Sequence, residues 1–368
     1  MSPTEVHTDR PRSTPWMRII RFALVGTVLM TLGVFVDLED KGGHVVGLIQ
    51  PGDDGPSAAV FAEDFPDLEL PDGLGHDGQQ FYVIARSPMH LDEISDDLDR
   101  PQYRLQRPVY PVLSWMLHPS GGGEGLVIAM AVVGIVAIFL AGLGAGALST
   151  RLGGGTWPAL LVPLLPGTYA AMRLSLADTL ALAFVLIALA AIERNRADIG
   201  VVAAVLGVFT KESLLVVLVG HALFRRTRAS IVTAVTASLS TAAWWVALRV
   251  LVDADSEQVI EFTWPFGGVI PKVDEWVGGT DWIAGVTVVG AFLLAASALW
   301  VRGRRHPLFG ALAAVTAFSV FLGPSVLGLD FNGPRTIGPM LVLAILTWGT
   351  PTPVETPDDA AMADVAAV

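Results

Sequence analysis

Long apolar segments recur along almost the whole chain and constrain its fold more than any other feature. The first runs from Ile19 to Val36, and the last ends at Gly349. A helix needs about 20 apolar residues to cross a bilayer, and lipid tolerates only helices or closed barrels. Only 16% of the residues are charged, against roughly 25% in soluble proteins. The sequence therefore predicts an all-α polytopic transmembrane protein.

We expect a bundle of about ten spans, within a range of roughly 8–11. The expected spans are 19–36, 126–148, 156–171, 175–192, 199–210, 212–224, 230–251, 282–301, 307–323 and 335–349. The segment 199–224 can be one helix or a hairpin of two short helices. The positive-inside rule favours the hairpin, because only then do the arginines around 151, 194, 225 and 302 share the cytoplasmic side.

This topology divides the transmembrane domain, 19–349, into spans and two large loops. Arginines precede the first span, and no small-residue cleavage site follows Val36, so that span reads as an uncleaved signal anchor. Both termini are then cytoplasmic, with a long first extracytoplasmic loop, 37–125, and a second loop, 252–281. The polar segments 1–18 and 350–368 are expected to be disordered cytoplasmic tails.

Charge and cysteine content exclude several classes of function. The first loop has 17 acidic and 5 basic residues between Asp37 and Glu124, which argues against a nucleic-acid partner. The chain has no cysteine, so disulfides and thiol catalysis are excluded. His76, His90 and His118 lack metal-ligand spacing, and we predict no metal site made by protein ligands alone.

The first loop contains a compact polar cluster at 75–82, which reads Gly-His-Asp-Gly-Gln-Gln-Phe-Tyr. Asp77 is a potential base, and Gln79 and Gln80 offer amide donors and acceptors. Gly75 and Gly78 flank Asp77 without bulky side chains, which predicts room for an acceptor. A solvated turn would have the same composition, so both readings stay open.

A second motif, Arg104-Leu-Gln-Arg107-Pro108-Val-Tyr110-Pro111, closes the same loop. Pro108 suits the first position of a helix, and apolar residues follow at helical spacing. We expect a short helix lying in the membrane interface. Its free N-terminal amides attract anions, so Arg104 and Arg107 are candidates to hold a phosphate.

Six basic residues lie at the external ends of spans, against the positive-inside rule: Arg104, Arg107, Arg173, Lys211, Arg249 and Arg335. Each could snorkel or pair with an acidic loop residue, but as a group they favour an anion site. Asp178 fits a capping box with Ser175, or alternatively a substrate role. Lys211 and Glu212 could form a structural ion pair at a hairpin tip.

Together these motifs resemble a known family. The signal anchor, the acidic motif in the first loop, the interfacial helix and the short spans look like membrane glycosyltransferases with the GT-C fold, which use polyprenyl-phosphate sugars. More closely, four motifs resemble a group of largely actinobacterial membrane proteins: Asp77-Gly-Gln-Gln-Phe-Tyr82, Tyr103-Arg-Leu-Gln-Arg-Pro-Val-Tyr-Pro111, Leu176-Ala-Asp178 and Thr210-Lys-Glu212. The first-loop motif of GT-C enzymes usually has paired acidic residues, whereas Asp77 is followed by glycine.

The resemblance implies an inverting transfer from a lipid-linked sugar donor to a cell-envelope acceptor, at the outer face of a bacterial plasma membrane. Asp77 would be the catalytic base. The candidate substrate-binding residues are Gln79, Gln80, Tyr82, Arg104, Arg107, Tyr110, Arg173, Asp178, Lys211, Glu212 and Arg335. A divalent cation, Mg²⁺ or Mn²⁺, held by Asp77 and the donor phosphate stays open.

A non-catalytic membrane protein is the alternative, either a transporter or a subunit of an envelope-polysaccharide assembly. Transporters often have an internal repeat of spans, with polar residues at mid-membrane depth. Here the halves of the chain show no repeat, and the polar residues gather at one face. These two features favour the transferase.

Overall fold

The computed structural model describes residues 15–40, 42–252, 262–279, 281–327 and 331–352. Within these ranges the chain is all-helical, and its only β pairing is a bridge between Phe262 and Leu322. The helices are α1 (Pro15–Asp40), α2 (Ala58–Asp64), α3 (Asp77–Arg86), α4 (Pro101–Arg104), α5 (Val109–Leu117), α6 (Glu124–Arg151), α7 (Pro158–Leu161), α8 (Pro166–Arg173), α9 (Asp178–Ile192), α10 (Ala197–Thr210), α11 (Leu215–Arg225), α12 (Arg228–Leu251), α13 (Val273–Gly278), α14 (Trp282–Arg302), α15 (Phe309–Val320), α16 (Pro324–Leu327), α17 (Asn332–Thr336) and α18 (Gly338–Gly349). The expected all-α class is confirmed.

Four of these helices, α1, α6, α12 and α14, are long and apolar enough to cross a membrane. Four shorter apolar helices, α9, α10, α15 and α18, accompany them. Large apolar side chains on the long helices, such as Leu32 and Val250, are exposed, as expected for a lipid-facing surface. The chain is therefore a membrane-embedded helical protein, and the count of ten spans stays a prediction.

The tails and one expected span differ from the sequence-based expectation. Helix α1 already begins at Pro15, so a disordered tail extending to residue 18 is wrong for its last four residues. At the other end, Thr350 is buried and donates to the backbone oxygen of Leu346 at 2.7 Å, so the second tail begins after it, and residues 1–14 and 353–368 lie outside the described residues. The expected span 156–171 is broken into α7, a single 3₁₀ turn and α8. Pro158, Pro163 and Pro166 lack an amide proton, which explains why one continuous helix does not form there.

The ambiguous segment 199–224 forms a hairpin. Helix α11 ends at Arg225, whose guanidinium donates to both carboxylate oxygens of Glu193 at 3.0 and 2.9 Å. Glu193 directly follows α9 and stands just before α10. Because α10 leaves this point and α11 returns to it, the two helices run in opposite directions.

The arginine-rich ends of the long helices meet at one end of the bundle, which we call the basic end. Arg151 donates to the backbone oxygen of Glu193 at 2.6 Å, and Arg302 donates to that of Trp348 at 2.7 Å. Two more contacts lie at this end: the side chain of Ile19 lies against Gly146, and the backbone oxygen of Gly349 lies against Gly154. The first and last described helices, α1 and α18, thus have their terminal ends on the same side.

The opposite end is capped by the first loop, which folds into α2 to α5. Phe61 of α2 and Phe65, which directly follows that helix, pack against Tyr82 of α3, with ring centroids 4.7 and 5.9 Å from that of Tyr82. Phe81 meets Tyr110 of α5 edge to face at 5.6 Å. The expected helix after Pro108 is present, as α5. The loop is therefore a packed cap, and it brings α3 and α4 against the helix bundle.

Candidate functional site

The polar cluster at 75–82 is not a solvated turn. Asp77 is the first residue of α3, and every residue from Gly78 to Ala85 is buried. His76 precedes the helix with an extended backbone. A carboxylate in the first turn interacts favourably with the helix dipole. The turn-like sequence therefore starts a buried helix, with the Asp77 side chain at its edge, 27% exposed.

The two glycines beside Asp77 do not leave space for an acceptor, and that expectation is wrong. A Cβ atom on Gly78 would lie 2.2 Å from the backbone oxygen of Leu174, so this glycine lets α3 approach the bundle closely. Gly75 has a φ of +67°, and its Cβ would lie 2.5 Å from the amide nitrogen of Gly52. Both glycines serve close packing.

Asp77 lies between two arginines from distant parts of the chain. Its Oδ1 is 3.0 Å from Nη1 of Arg104, and its Oδ2 accepts from Nη2 of Arg335 at 2.7 Å, across 258 residues. Burial acts to raise the pKa of Asp77, but the charges of Arg335 and Arg104 outweigh it and hold the pKa well below its usual range. Asp77 is therefore ionised, and is a weak base while both arginines hold it.

Arg335 continues the contacts to a second carboxylate. Its Nη1 lies 3.5 Å from Oδ2 of Asp178, whose Oδ1 accepts from Nζ of Lys211. The capping-box reading of Asp178 is wrong, because the residue at the N-cap of α9 is Ala177 and makes no side-chain cap bond. We call the connected set Asp77, Asp99, Arg104, Asp178, Lys211 and Arg335 the ionic network.

Arg104 and Arg107 each have a carboxylate partner held by two hydrogen bonds. Arg104 donates to both oxygens of Asp99 at 2.7 Å. Arg107 donates to both oxygens of Glu212 at 2.8 and 2.7 Å, and to the Tyr103 hydroxyl at 2.6 Å. The possible pair between Lys211 and Glu212 is therefore wrong, since Lys211 bonds to Asp178 and Glu212 bonds to Arg107.

The two glutamines of the cluster are engaged by backbone groups. Gln79 accepts from the amide of Gly52 at 3.3 Å and donates to the backbone oxygen of Leu74. Gln80 accepts from the amide of Asp99 at 3.1 Å. Gln80 thereby fixes the segment that carries the carboxylate partner of Arg104. Both residues support the cap, and the structure does not bring Gln79 into the ionic network.

Three other candidates also lie away from the network. The Tyr82 hydroxyl donates to Asp64 and accepts from the Gly123 amide, both at 2.6 Å. The Tyr110 hydroxyl donates to the backbone oxygen of Met130 at 3.1 Å. Arg173 pairs with Asp37 at 2.5 Å and donates to the backbone oxygen of Gly47. Each of the three bonds within the cap or links the cap to the bundle.

A small cavity opens beside the network, between α8, α9, the turn after α10, and the start of α18. Its volume is about 30 Å³, and its charged lining residues are Asp178, Lys211 and Arg335. The remaining lining is hydroxyl-bearing or apolar and includes Thr168, Ser213, Leu182, Leu214 and Val342. Nε of Arg335 is buried and has no hydrogen-bond partner among the described residues. The cavity therefore offers cationic donors above an apolar wall.

Sequence reasoning missed Asp99 as a member of the network. Asp99 stands five residues before Arg104 and accepts two hydrogen bonds from it. Asp99 lies in an acidic run, residues 92–99, of the kind expected on an ordinary solvated surface. The signal that could have identified it is the short spacing to a cation already singled out.

The fold and the ionic network define a class: an all-α membrane-embedded protein with a buried, charge-paired site at the end of the bundle opposite the basic end. No family model matches the chain, and neither a curated protein nor a solved structure is significantly similar to it. Within the described ranges, no group of three or more histidine or acidic side chains is placed to hold a metal ion. The side chains of the network therefore carry the functional assignment.

Proposed function

We propose that this protein is a membrane glycosyltransferase of the GT-C type, moving a sugar from a polyprenyl-phosphate donor to a cell-envelope acceptor. One observation carries the proposal. A carboxylate of the first loop, Asp77, meets Arg335 from the far end of the chain at 2.7 Å, beside a cavity whose lining combines two cations, the carboxylate of Asp178, hydroxyl groups and apolar side chains. A lipid phosphate has the matching chemistry, an anionic head on an apolar chain.

We assign the donor phosphate to Arg335 and Lys211. Both line the cavity, and Nε of Arg335 is buried without a hydrogen-bond partner among the described residues. Charged hydrogen bonds to phosphate are stronger than neutral ones. Arg104 and Arg107, the residues first expected to hold the phosphate, already donate twice each to Asp99 and Glu212. They are better suited to holding Asp77 and the cap in place.

In the proposed reaction, an acceptor hydroxyl oxygen attacks the anomeric carbon of the donor sugar. Asp77 takes the hydroxyl proton, the bond between the anomeric carbon and the phosphate oxygen breaks, and its electron pair leaves with the phosphate. Arg335 and Lys211 stabilise the negative charge that develops on the leaving group. Attack from the face opposite the phosphate inverts the anomeric configuration.

The proposal also fixes which end of the bundle faces the cell exterior. The helix ends with Arg151, Arg225 and Arg302 lie together, and cytoplasmic loops carry an excess of arginine and lysine. The basic end is then cytoplasmic, together with both termini. The ionic network and the cap face outward in a bacterial plasma membrane, where a polyprenyl-phosphate sugar presents its head group.

A transfer assay with purified protein and a panel of polyprenyl-phosphate sugars tests this function. Asp77→Asn should fold but lose about 10²- to 10⁴-fold in turnover, the usual cost of losing a general base. Asp37→Asn is the matched control, since Asp37 also pairs with a buried arginine in a contact outside the network. Equal rates for wild type and Asp77→Asn would remove Asp77 from the mechanism.

A non-catalytic role is the second candidate, as a transporter or a subunit of an envelope-polysaccharide assembly. The observation favouring it is that the cations of the network are already paired with carboxylates, as in a purely structural cluster. Absence of transfer by the wild-type protein across the donor panel would favour this candidate.

A further inference from the structure

Arg335 has incomplete contacts within the network. Its Nη2 bonds to Asp77 at 2.7 Å, its Nη1 is 3.5 Å from Asp178, and its Nε has no partner among the described residues. A guanidinium presents five donors in a planar fork, so this side chain has donors to spare. It also lines the cavity to which we assign the phosphate.

Arg104, the other partner of Asp77, is held much more firmly. It donates twice to Asp99 at 2.7 Å, and Asp99 is itself fixed through its amide by Gln80. Asp77 therefore has one fixed guanidinium and one that can be shared. If a ligand draws either of them away from Asp77, it will be that of Arg335.

The backbone that carries Arg335 is anchored, so an exchange needs only side-chain movement. Gly167 of α8 lies against α17, and a Cβ there would be 2.5 Å from the backbone oxygen of Pro334. Gly333 is equally close to the backbone oxygen of Leu327, at 2.6 Å. These close approaches keep α17 at a fixed distance from α8 and from α16.

We infer that Arg335 masks Asp77 until the donor binds, and that its guanidinium then moves from Asp77 to the donor phosphate. The inference rests on the proposed function and deepens it. Asp77 and the phosphate compete for one cation, so the base is released only when the leaving group is in place. The donor therefore binds before proton transfer from the acceptor becomes efficient.

The electrostatics of Asp77 support this order of events. Arg335 is the charge that most lowers the pKa of Asp77, ahead of Arg104. When the guanidinium moves to a phosphate, Asp77 loses that neighbour and becomes a stronger base. Arg104 remains beside it and keeps the carboxylate oriented.

Competition for Arg335 gives a result that a purely structural role does not. The probe is a polyprenyl monophosphate, the expected product, titrated onto the full-length protein in nanodiscs. Asp77→Asn removes the competitor, so it should bind the probe roughly 10- to 100-fold more tightly than wild type does, the range for one charged hydrogen bond. Arg335→Gln should weaken binding by a similar factor.

Two comparisons separate exchange from a general change in charge. Asp37→Asn also removes one negative charge, from a carboxylate paired with Arg173. Its affinity for the probe should stay within about twofold of that of the wild type. In an Arg335→Gln background, Asp77→Asn should also change affinity by less than about twofold, since the shared cation is gone. Thermal unfolding and gel filtration verify folding, and Asp77→Ser is a second way to remove the competitor.

The outcomes distinguish this inference from the proposed function. If the wild type binds the probe, and Asp77→Asn binds it equally or more weakly, the exchange is overturned and the donor assignment still stands. The same tightening in Asp37→Asn, or in the Arg335→Gln background, would also overturn the exchange. Absence of binding by wild type to both the probe and the polyprenyl-phosphate sugars would overturn the proposed function, and the exchange with it.

Discussion

The buried pair of Arg107 and Glu212 gives the sharpest stability prediction, because it ties the cap to the helix hairpin across 105 residues. Arg107→Met removes the charge and keeps much of the side-chain volume. The carboxylate of Glu212, 17% exposed, is then left without its two guanidinium hydrogen bonds of 2.8 and 2.7 Å. An unpaired buried charge is among the most destabilising changes a fold can undergo.

We expect Arg107→Met to lower the free energy of unfolding by about 3–5 kcal/mol, the usual cost of breaking one side of a buried ion pair. Most of that cost is the desolvated charge left behind. Removing both charges, with Arg107→Met and Glu212→Met together, should therefore recover most of the loss. The double substitution should lie within about 1–2 kcal/mol of wild type.

Reversible unfolding in mixed micelles measures these differences. The matched control is Arg196→Met, which breaks a bidentate pair with Asp198 whose two side chains are 58% and 64% exposed. Water already solvates that pair, so the control should behave as wild type does. A loss below about 1 kcal/mol for Arg107→Met, or a double substitution as unstable as the single one, would refute the reasoning from burial.

Three further predictions concern packing, pH and topology. Gly78→Ala should destabilise the protein by about 1–3 kcal/mol through overpacking, because its Cβ would lie 2.2 Å from a backbone oxygen. The control Gly33→Ala should be neutral, since a Cβ there would have nothing within 4 Å. Equal unfolding midpoints for the two variants would contradict this prediction. Burial and a neighbouring arginine lower the pKa of His306 to about 4, so the unfolded state binds the proton more strongly. The contribution of His306 to the free energy of unfolding is then complete above the reference pKa of 6.5. It falls as the pH drops towards 4, by at most about 2 kcal/mol at pH 5. His306→Gln should remove this pH dependence from the unfolding curves. In intact cells, an impermeant thiol reagent should label Ser120→Cys at the cap and not Arg304→Cys at the basic end; the reverse would overturn the orientation.

Much of the fold could be predicted from local pattern. The apolar periodicity predicted an all-helical membrane protein, and the arginine distribution correctly favoured a hairpin over one helix at 199–224. The first feature is read within a window of about 20 residues, and the second from the order of charges along the chain. The segment 156–171 is apolar enough for one span, but three prolines remove the amide protons that a continuous helix needs, and apolar composition does not reveal that loss.

The site was predictable as a set of residues but not as a set of contacts. Arg104, Lys211 and Arg335 stand out in the sequence because cations at span ends need partners. Asp77 stands out as a potential base in a polar cluster, and Asp178 as a residue for a helix start or a substrate. Which charge pairs with which depends on long-range folding, and the contact between Asp77 and Arg335 spans 258 residues. Local spacing therefore suggested wrong partners, such as a capping role for Asp178.

The glycines next to Asp77 show a different limit. In the sequence they indicated free space, whereas in the structure a missing Cβ lets two backbones touch, as Gly78 does with Leu174. A glycine permits either outcome, and only the neighbouring element decides between them.

The most direct test of the central claim is a structure of the protein determined with a polyprenyl phosphate in nanodiscs. We expect the phosphate within hydrogen-bond distance of Arg335 and Lys211, with Arg104 still paired to Asp99 and the lipid chain against the apolar wall of the cavity. A phosphate bound instead between Arg104 and Arg107, with Arg335 still on Asp77, would contradict the account.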